Sequence, residues 1–141
     1  LFRYQRPFHF RPVQPPSFMD AGPHEPVKHV WFRAVDRIPQ DSEALQRSLL
    51  AYVSDYHLLD TTLLPHSLSW VTNDIRMASI DHAMWFHAPV RVDDWLLYSL
   101  DSPSASGARG FTRGSIFTRD GKLVASTAQE GLIRVTPLGR K

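Results

Sequence analysis

Cysteine is absent from the 141-residue chain. That single absence removes disulfide scaffolds, thiolate metal sites and cysteine nucleophiles together. It fits a reducing compartment, and a cytoplasmic location is expected. No apolar run approaches the roughly 20 residues of a membrane-spanning helix, and the start lacks the basic-then-apolar-then-small order of a secretion signal. The chain opens on Leu1 and not on Met, so a fragment or a processed product is expected. Blocks of one charge are missing too. Sixteen Lys and Arg stand against fourteen Asp and Glu for a formal charge of +2, scattered along the chain, so nucleic-acid binding is not expected while a small anionic ligand is compatible. There is no G-x-S-x-G elbow, no glycine-rich phosphate loop and no H-E-x-x-H. Histidines are present, seven of them. His82 and His87 stand five apart in what reads as one strand, facing opposite ways, so neither a metal site nor a cofactor is expected.

The length suits one domain with one core. The stretch that organises it runs from Asp41 to Leu59. Asp41 or Ser42 can cap the first free N–H groups. Apolar residues recur at Leu45, Leu49, Val53 and Tyr56, with Leu50, Tyr52 and Leu59 widening the stripe. Helical spacing with apolar residues on more than one face predicts a helix that is wrapped. Residues 1–26 differ from the rest. Prolines at 7, 12, 15, 16, 23 and 26 separate Phe2, Tyr4, Phe8, Phe10 and Phe18. They read as a proline-rich interdomain linker with one short strand near Phe8–Val13, and residues 27–141 as the folded domain. His29–Val35 predicts a strand before the helix, and Pro65 a stop after it. Arg76–Ala88 reads as one long strand, Trp95–Leu100 as another, Ser102–Gly107 as a small-residue loop, and Arg109–Arg119 with Leu123–Val135 as a hairpin closed by Asp120-Gly121. One helix and a set of hairpin-connected strands predict an α+β fold with an antiparallel sheet around the helix. The sheet edge and open face that this leaves would be covered by a second copy or a similar domain.

Chemistry is most readily carried by polar residues inside apolar elements. Asp55 stands near the helix end. Ser79 and Asp81 lie in Met77–Phe86, where strand alternation puts them on one face with Met77 and Trp85 and turns His82 away. Gln129 and Glu130 interrupt the last strand. A mid-strand glutamine needs a partner for its amide. Each also has a structural reading: Asp55 accepting loop N–H groups, Ser79 filling a tight space, Gln129 bonding a neighbouring strand.

Four segments in order, Ser79–Pro89, Trp95–Tyr98, Ser104–Phe111 and Asp120–Gly131, resemble the acyl-CoA thioesterase II family, and the likeness runs from about Phe10 to Val135. The resemblance implies a hotdog fold, an antiparallel sheet around one long helix, and hydrolysis of acyl-CoA to free acid and CoA. It covers the second of the two tandem hotdog domains usual in that family. A first hotdog half, in the same protein or as a separate chain, or a second copy, is therefore an expected partner, in an oligomer of double-hotdog units. Residue by residue, the resemblance implies Asp55 as the aspartate that activates water, with Ser79 and Gln129 holding that water or the developing oxyanion; Asp81, His82 and Glu130 become supporting candidates. Arg109 and Arg113 are expected to meet CoA phosphates, and Tyr56 and Trp85 to line an acyl channel. Two rival readings stand beside this one. An enoyl-thioester hydratase or dehydratase would use the Asp81–His82 pair, and a non-catalytic half would only bind acyl-CoA.

Overall fold

The computed structural model describes residues 6–15, 22–39, 41–68 and 74–136. Phe2, Tyr4 and Phe18 of the lead-in lie outside them. Among the described residues seven strands, β1 (Phe8–Pro12), β2 (Val27–Ala34), β3 (Asp74–Ser79), β4 (Ala83–Phe86), β5 (Leu96–Ser106), β6 (Arg109–Thr118) and β7 (Leu123–Thr136), form one antiparallel sheet. Its order is β1-β2-β5-β6-β7-β3, with β4 also on β7. Helix α1 (Glu43–Ser54) lies against the inner face, and a 3-10 helix, Leu59–His66, follows it. Inward residues alternate along the strands as a half-buried sheet requires: Leu96, Tyr98 and Leu100 on β5, Ile116 on β6, Ala125 and Thr127 on β7. All of these but the polar Thr127 join Leu50, Val53 and Leu58 in the hydrophobic core. This is the α+β, sheet-around-helix arrangement expected from the sequence.

The helix is shorter than its pattern suggested and is turned. The buried residues of α1 are Gln46, Leu50, Val53 and Ser54, whereas Leu45 is 40% and Tyr52 52% exposed. Apolar spacing alone could not separate these faces, because Gln46 is drawn inward to accept the Val92 N–H at 2.8 Å. The helix starts without a side-chain cap; Ser42 contributes only its carbonyl, which accepts the Gln46 N–H at 3.0 Å.

β1 belongs to the sheet. It pairs with β2 from Phe8↔Ala34 to Pro12↔Val30, and Phe8 is buried in the core. The segment Ser102–Ser106, expected as a loop, instead extends β5, with a register shift between Asp101 and Ser104. The reversal comes one step later at Gly107-Ala108, both at positive φ (58° and 59°), the two-residue geometry that tightly joined strands favour. The Asp120-Gly121 hairpin forms as its sequence predicts.

The largest departure concerns residues 74–88. The single strand expected there is two, broken at Ile80-Asp81-His82. Ser79 pairs with Gly131 and Ala83 with Ala128, so four steps on one side meet three on the other. This is a bulge of one extra residue. The Ile80 and Asp81 N–H groups both point to the Glu130 carbonyl, at 2.9 and 3.4 Å. The Asp81 carboxylate accepts the Glu130 N–H at 2.7 Å. Because side chains alternate with period two, one extra residue reverses the faces downstream.

Candidate active site

The end of α1 is pinned before it delivers Asp55. Tyr98, 2% exposed, rises from β5 and donates its hydroxyl to the Ser54 carbonyl at 2.8 Å. The same oxygen lies 2.8 Å from Thr127 Oγ1 on β7. Burial pushes the Tyr98 ionisation up, and it stays a hydroxyl. On the other side Leu59 packs onto Gly131, where a Cβ would stand 2.3 Å from its Cδ1. Asp55 follows Ser54 directly and is exposed.

Ser79 ends β3 and Gln129 sits opposite the bulge on β7, both on the inner face. Gln129 is 1% exposed, which makes a partner for its amide obligatory. Its Nε2 donates to Ser79 Oγ at 2.8 Å, and Ser79 Oγ stands 3.4 Å from Asp55 Oδ1. The structure thus brings together the three polar residues singled out in the sequence.

It also brings in one that alternation had turned away. The bulge rotates His82 inward, so that its Nδ1 meets Gln129 Oε1 and its Nε2 lies 2.8 Å from Ser54 Oγ. Apolar alternation does not give the bulge away. The only trace is an aspartate at its centre, whose short side chain can satisfy a freed N–H.

The same reversal corrects Trp85. It pairs with Ser126 on the outer face, 53% exposed, while Met84 and Phe86 turn inward. Arg109 and Arg113 are likewise on the outer face, alternating with the buried Gly110, Thr112 and Gly114. Arg113 Nε donates to Asp101 Oδ1 at 3.2 Å, and Arg109 lies 3.6 Å from Glu130 Oε2. The sheet therefore separates these three from Asp55, Ser79 and Gln129 within this chain. Tyr56 is stacked on Phe10 with centroids 5.4 Å apart, its hydroxyl 3.0 Å from that of Tyr52.

Behind Tyr56, Lys28 Nζ bonds Asp60 Oδ2 at 2.6 Å and His57 Nδ1 at 3.2 Å. Burial pushes the Asp60 carboxyl up, but the hydrogen bonds and charge of His57 and Lys28 outweigh it and hold it below the ordinary value. A cleft of about 840 Å³ opens at the other end of α1, lined among others by Arg33, Gln46, Arg47, Arg91 and Trp95. It shares no lining residue with the Asp55 cluster. Among the described residues no three His, Asp or Glu gather as a metal site, and no helix is long and apolar enough to cross a membrane.

Residues 1–132 match the family model described as acyl-CoA thioesterase. This chain belongs to the acyl-CoA thioesterase II family. It is 43% identical over 131 residues to the mouse (Mus musculus) acyl-coenzyme A thioesterase 8, covering 93% of this chain and 40% of that protein. To acyl-CoA thioesterase 2 of Haemophilus influenzae it is 38% identical over 133 residues, 94% of this chain and 46% of that one. The solved structure of acyl-CoA thioesterase II TesB2 from Mycobacterium marinum superposes with a TM-score of 0.76 at 40% identity, over 95% of this chain and 51% of that one. A protein described as having a hot dog fold, from Alicyclobacillus acidocaldarius, shares the fold at a TM-score of 0.69 and 17% identity. The chain spans about half the length of the relatives it matches.

Proposed function

We propose that this chain is the catalytic hotdog half of an acyl-CoA thioesterase and that Asp55, Ser79 and Gln129 perform the hydrolysis. The observation that carries this is the convergence of three polar groups, the Gln129 amide 2.8 Å from Ser79 Oγ and Ser79 Oγ 3.4 Å from the exposed Asp55 carboxylate. A thioester carbonyl is electrophilic and a thiolate leaves readily, so the protein's work is to place water and stabilise an oxyanion. Asp55 takes the proton from water as general base. The hydroxide adds to the carbonyl carbon, the Gln129 NH₂ and the Ser79 hydroxyl donate to the developing charge, and the tetrahedral species collapses with loss of CoA thiolate.

The partner in this reading is a second hotdog unit, the N-terminal half of the same protein, a separate chain or another copy. The exposed Leu45 and Tyr52 of α1 and the exposed Phe86 of β4 support an apolar face that such a unit covers. In this reading residues 1–26 are the lead-in that connects the domain to that unit. Arg109, Arg113 and Trp85, set on the outer face, reach acyl-CoA only as it passes across an assembled unit, whereas Tyr56 adjoins Asp55 directly. The cysteine-free composition supports a cytoplasmic setting.

The rival hydratase reading loses its acid–base pair: the Asp81 carboxylate accepts the Glu130 N–H while His82 faces Gln129 and Ser54. Incubating the intact protein with saturated and 2-enoyl-CoA separates the readings. Thiol release from both is expected. Loss of enoyl absorbance without thiol would make the protein a hydratase, and binding without either reaction would make it an acyl-CoA-binding half.

A further inference from the structure

His82 is the polar group at this site that the hydrolytic reading leaves without a task. Its position is a product of the bulge, and both of its ring nitrogens are engaged: Nδ1 with Gln129 Oε1, Nε2 with Ser54 Oγ at 2.8 Å. Ser54 is fully buried on α1, and its Oγ stands 2.8 Å from both the Ala51 carbonyl and His82 Nε2, so its one hydroxyl proton can go to either; with a proton on Nδ1, Nε2 is the acceptor that takes it.

Counting donors shows what this contact does. A carboxamide has an accepting end and a donating end, and its oxygen accepts only. A bond between Gln129 Oε1 and His82 therefore requires a proton on Nδ1. Ser79 cannot choose between the two ends, since a hydroxyl both donates and accepts. Its contact with Asp55, at 3.4 Å, is also too long to fix its own proton firmly. With a bare Nδ1 the carboxamide would turn over. Nε2 would then donate to the imidazole, Oε1 would take the Ser79 proton, and the site would lose its NH₂ donor.

We propose that His82 is a positioning residue of the hydrolytic site, its Nδ1–H holding the Gln129 carboxamide with the NH₂ toward Ser79 and Asp55. This rests on the thioesterase reading above. The bulge gains a purpose from it: strict alternation would leave Gln129 facing a strand with no side-chain donor there.

His82→Phe keeps the ring's bulk and removes both nitrogens. In the intact protein it is expected to lower kcat about 10²-fold with KM unchanged, the cost of a misplaced group. His82→Asn returns an N–H close to where Nδ1 stood and is expected to recover most of that loss. In a Gln129→Ala background His82→Phe should cost nothing further, because it acts through that amide. Independently of turnover, the Gln129 side-chain ¹⁵N–¹H signals should move in His82→Phe and return toward wild type in His82→Asn. Absence of thiol release by wild type would sink the thioesterase reading alone, and the amide signals would still decide the role of His82. Full kcat in His82→Phe, a loss that adds in full to that of Gln129→Ala, or unmoved Gln129 signals would overturn the proposal.

Discussion

Tyr98→Phe tests how the helix end that carries Asp55 is held. The substitution deletes one oxygen and leaves the ring, which meets Phe32 edge-on at 6.2 Å, in place. Two buried groups then lose a partner at once. The Ser54 carbonyl loses its donor at 2.8 Å, and Thr127 Oγ1, on a residue 3% exposed, loses its neighbour at the same distance. Orphaning a buried polar group costs about 1–3 kcal/mol, so the two together cost about 2–6 kcal/mol. At this chain length that lowers Tm by roughly 4 °C per kcal/mol, so a fall of about 8–24 °C is expected by thermal melting. Adding Thr127→Val removes one of the two orphans, so the double variant should melt no lower than the sum of the single effects and regain part of the loss. Because Ser54 directly precedes Asp55, kcat for acyl-CoA should fall in parallel, with KM moving less. A Tyr98→Phe protein that melts with wild type and keeps its kcat would refute the pinning. A lower Tm with full kcat would leave the anchor structural and remove its link to the site.

Gly131→Ala would set a Cβ 2.3 and 2.4 Å from the two methyls of Leu59. Overpacking of about 1–3 kcal/mol is expected in chemical denaturation, and Leu59→Ala in the same chain should relieve it; no loss would mean that the 3-10 helix is not seated on β7. Asp60 has its folded pKa held below the ordinary 3.8, so its contribution is complete above that value and is lost as pH falls through the folded pKa. The Tm gap between wild type and Asp60→Asn should therefore be steady above pH 3.8 and shrink as pH falls below that value, and a gap unchanged by acid would contradict the Lys28–Asp60–His57 cluster.

Much of this was legible in the residues, and the failures share a cause. Periodicity gave the helix and most strands because burial of an apolar face dictates both. It misjudged which face of α1 is covered, since Gln46 is pulled inward by a loop N–H that no pattern reveals. It missed the continuation of β5 through Ser102–Ser106 because small polar residues read as loop until a partner strand is supplied. The bulge at Ile80-Asp81-His82 is the consequential case. It is a matter of register between β3, β4 and β7, a property of pairs of strands, and it decides that His82 faces inward and Trp85 outward. Asp55, Ser79 and Gln129 were recognisable as polar residues in apolar surroundings. Their convergence depends on the Tyr98 and Gly131 contacts, which only the assembled sheet shows.

The central claim is that the exposed carboxylate after α1, joined through Ser79 to the Gln129 amide, activates water against a thioester. The most direct measurement is thiol release from acyl-CoA by Asp55→Asn in the intact protein, beside its circular dichroism and melting curve. A fall in kcat of about 10²–10⁴-fold with an unchanged fold is predicted. Turnover near that of wild type would contradict the claim.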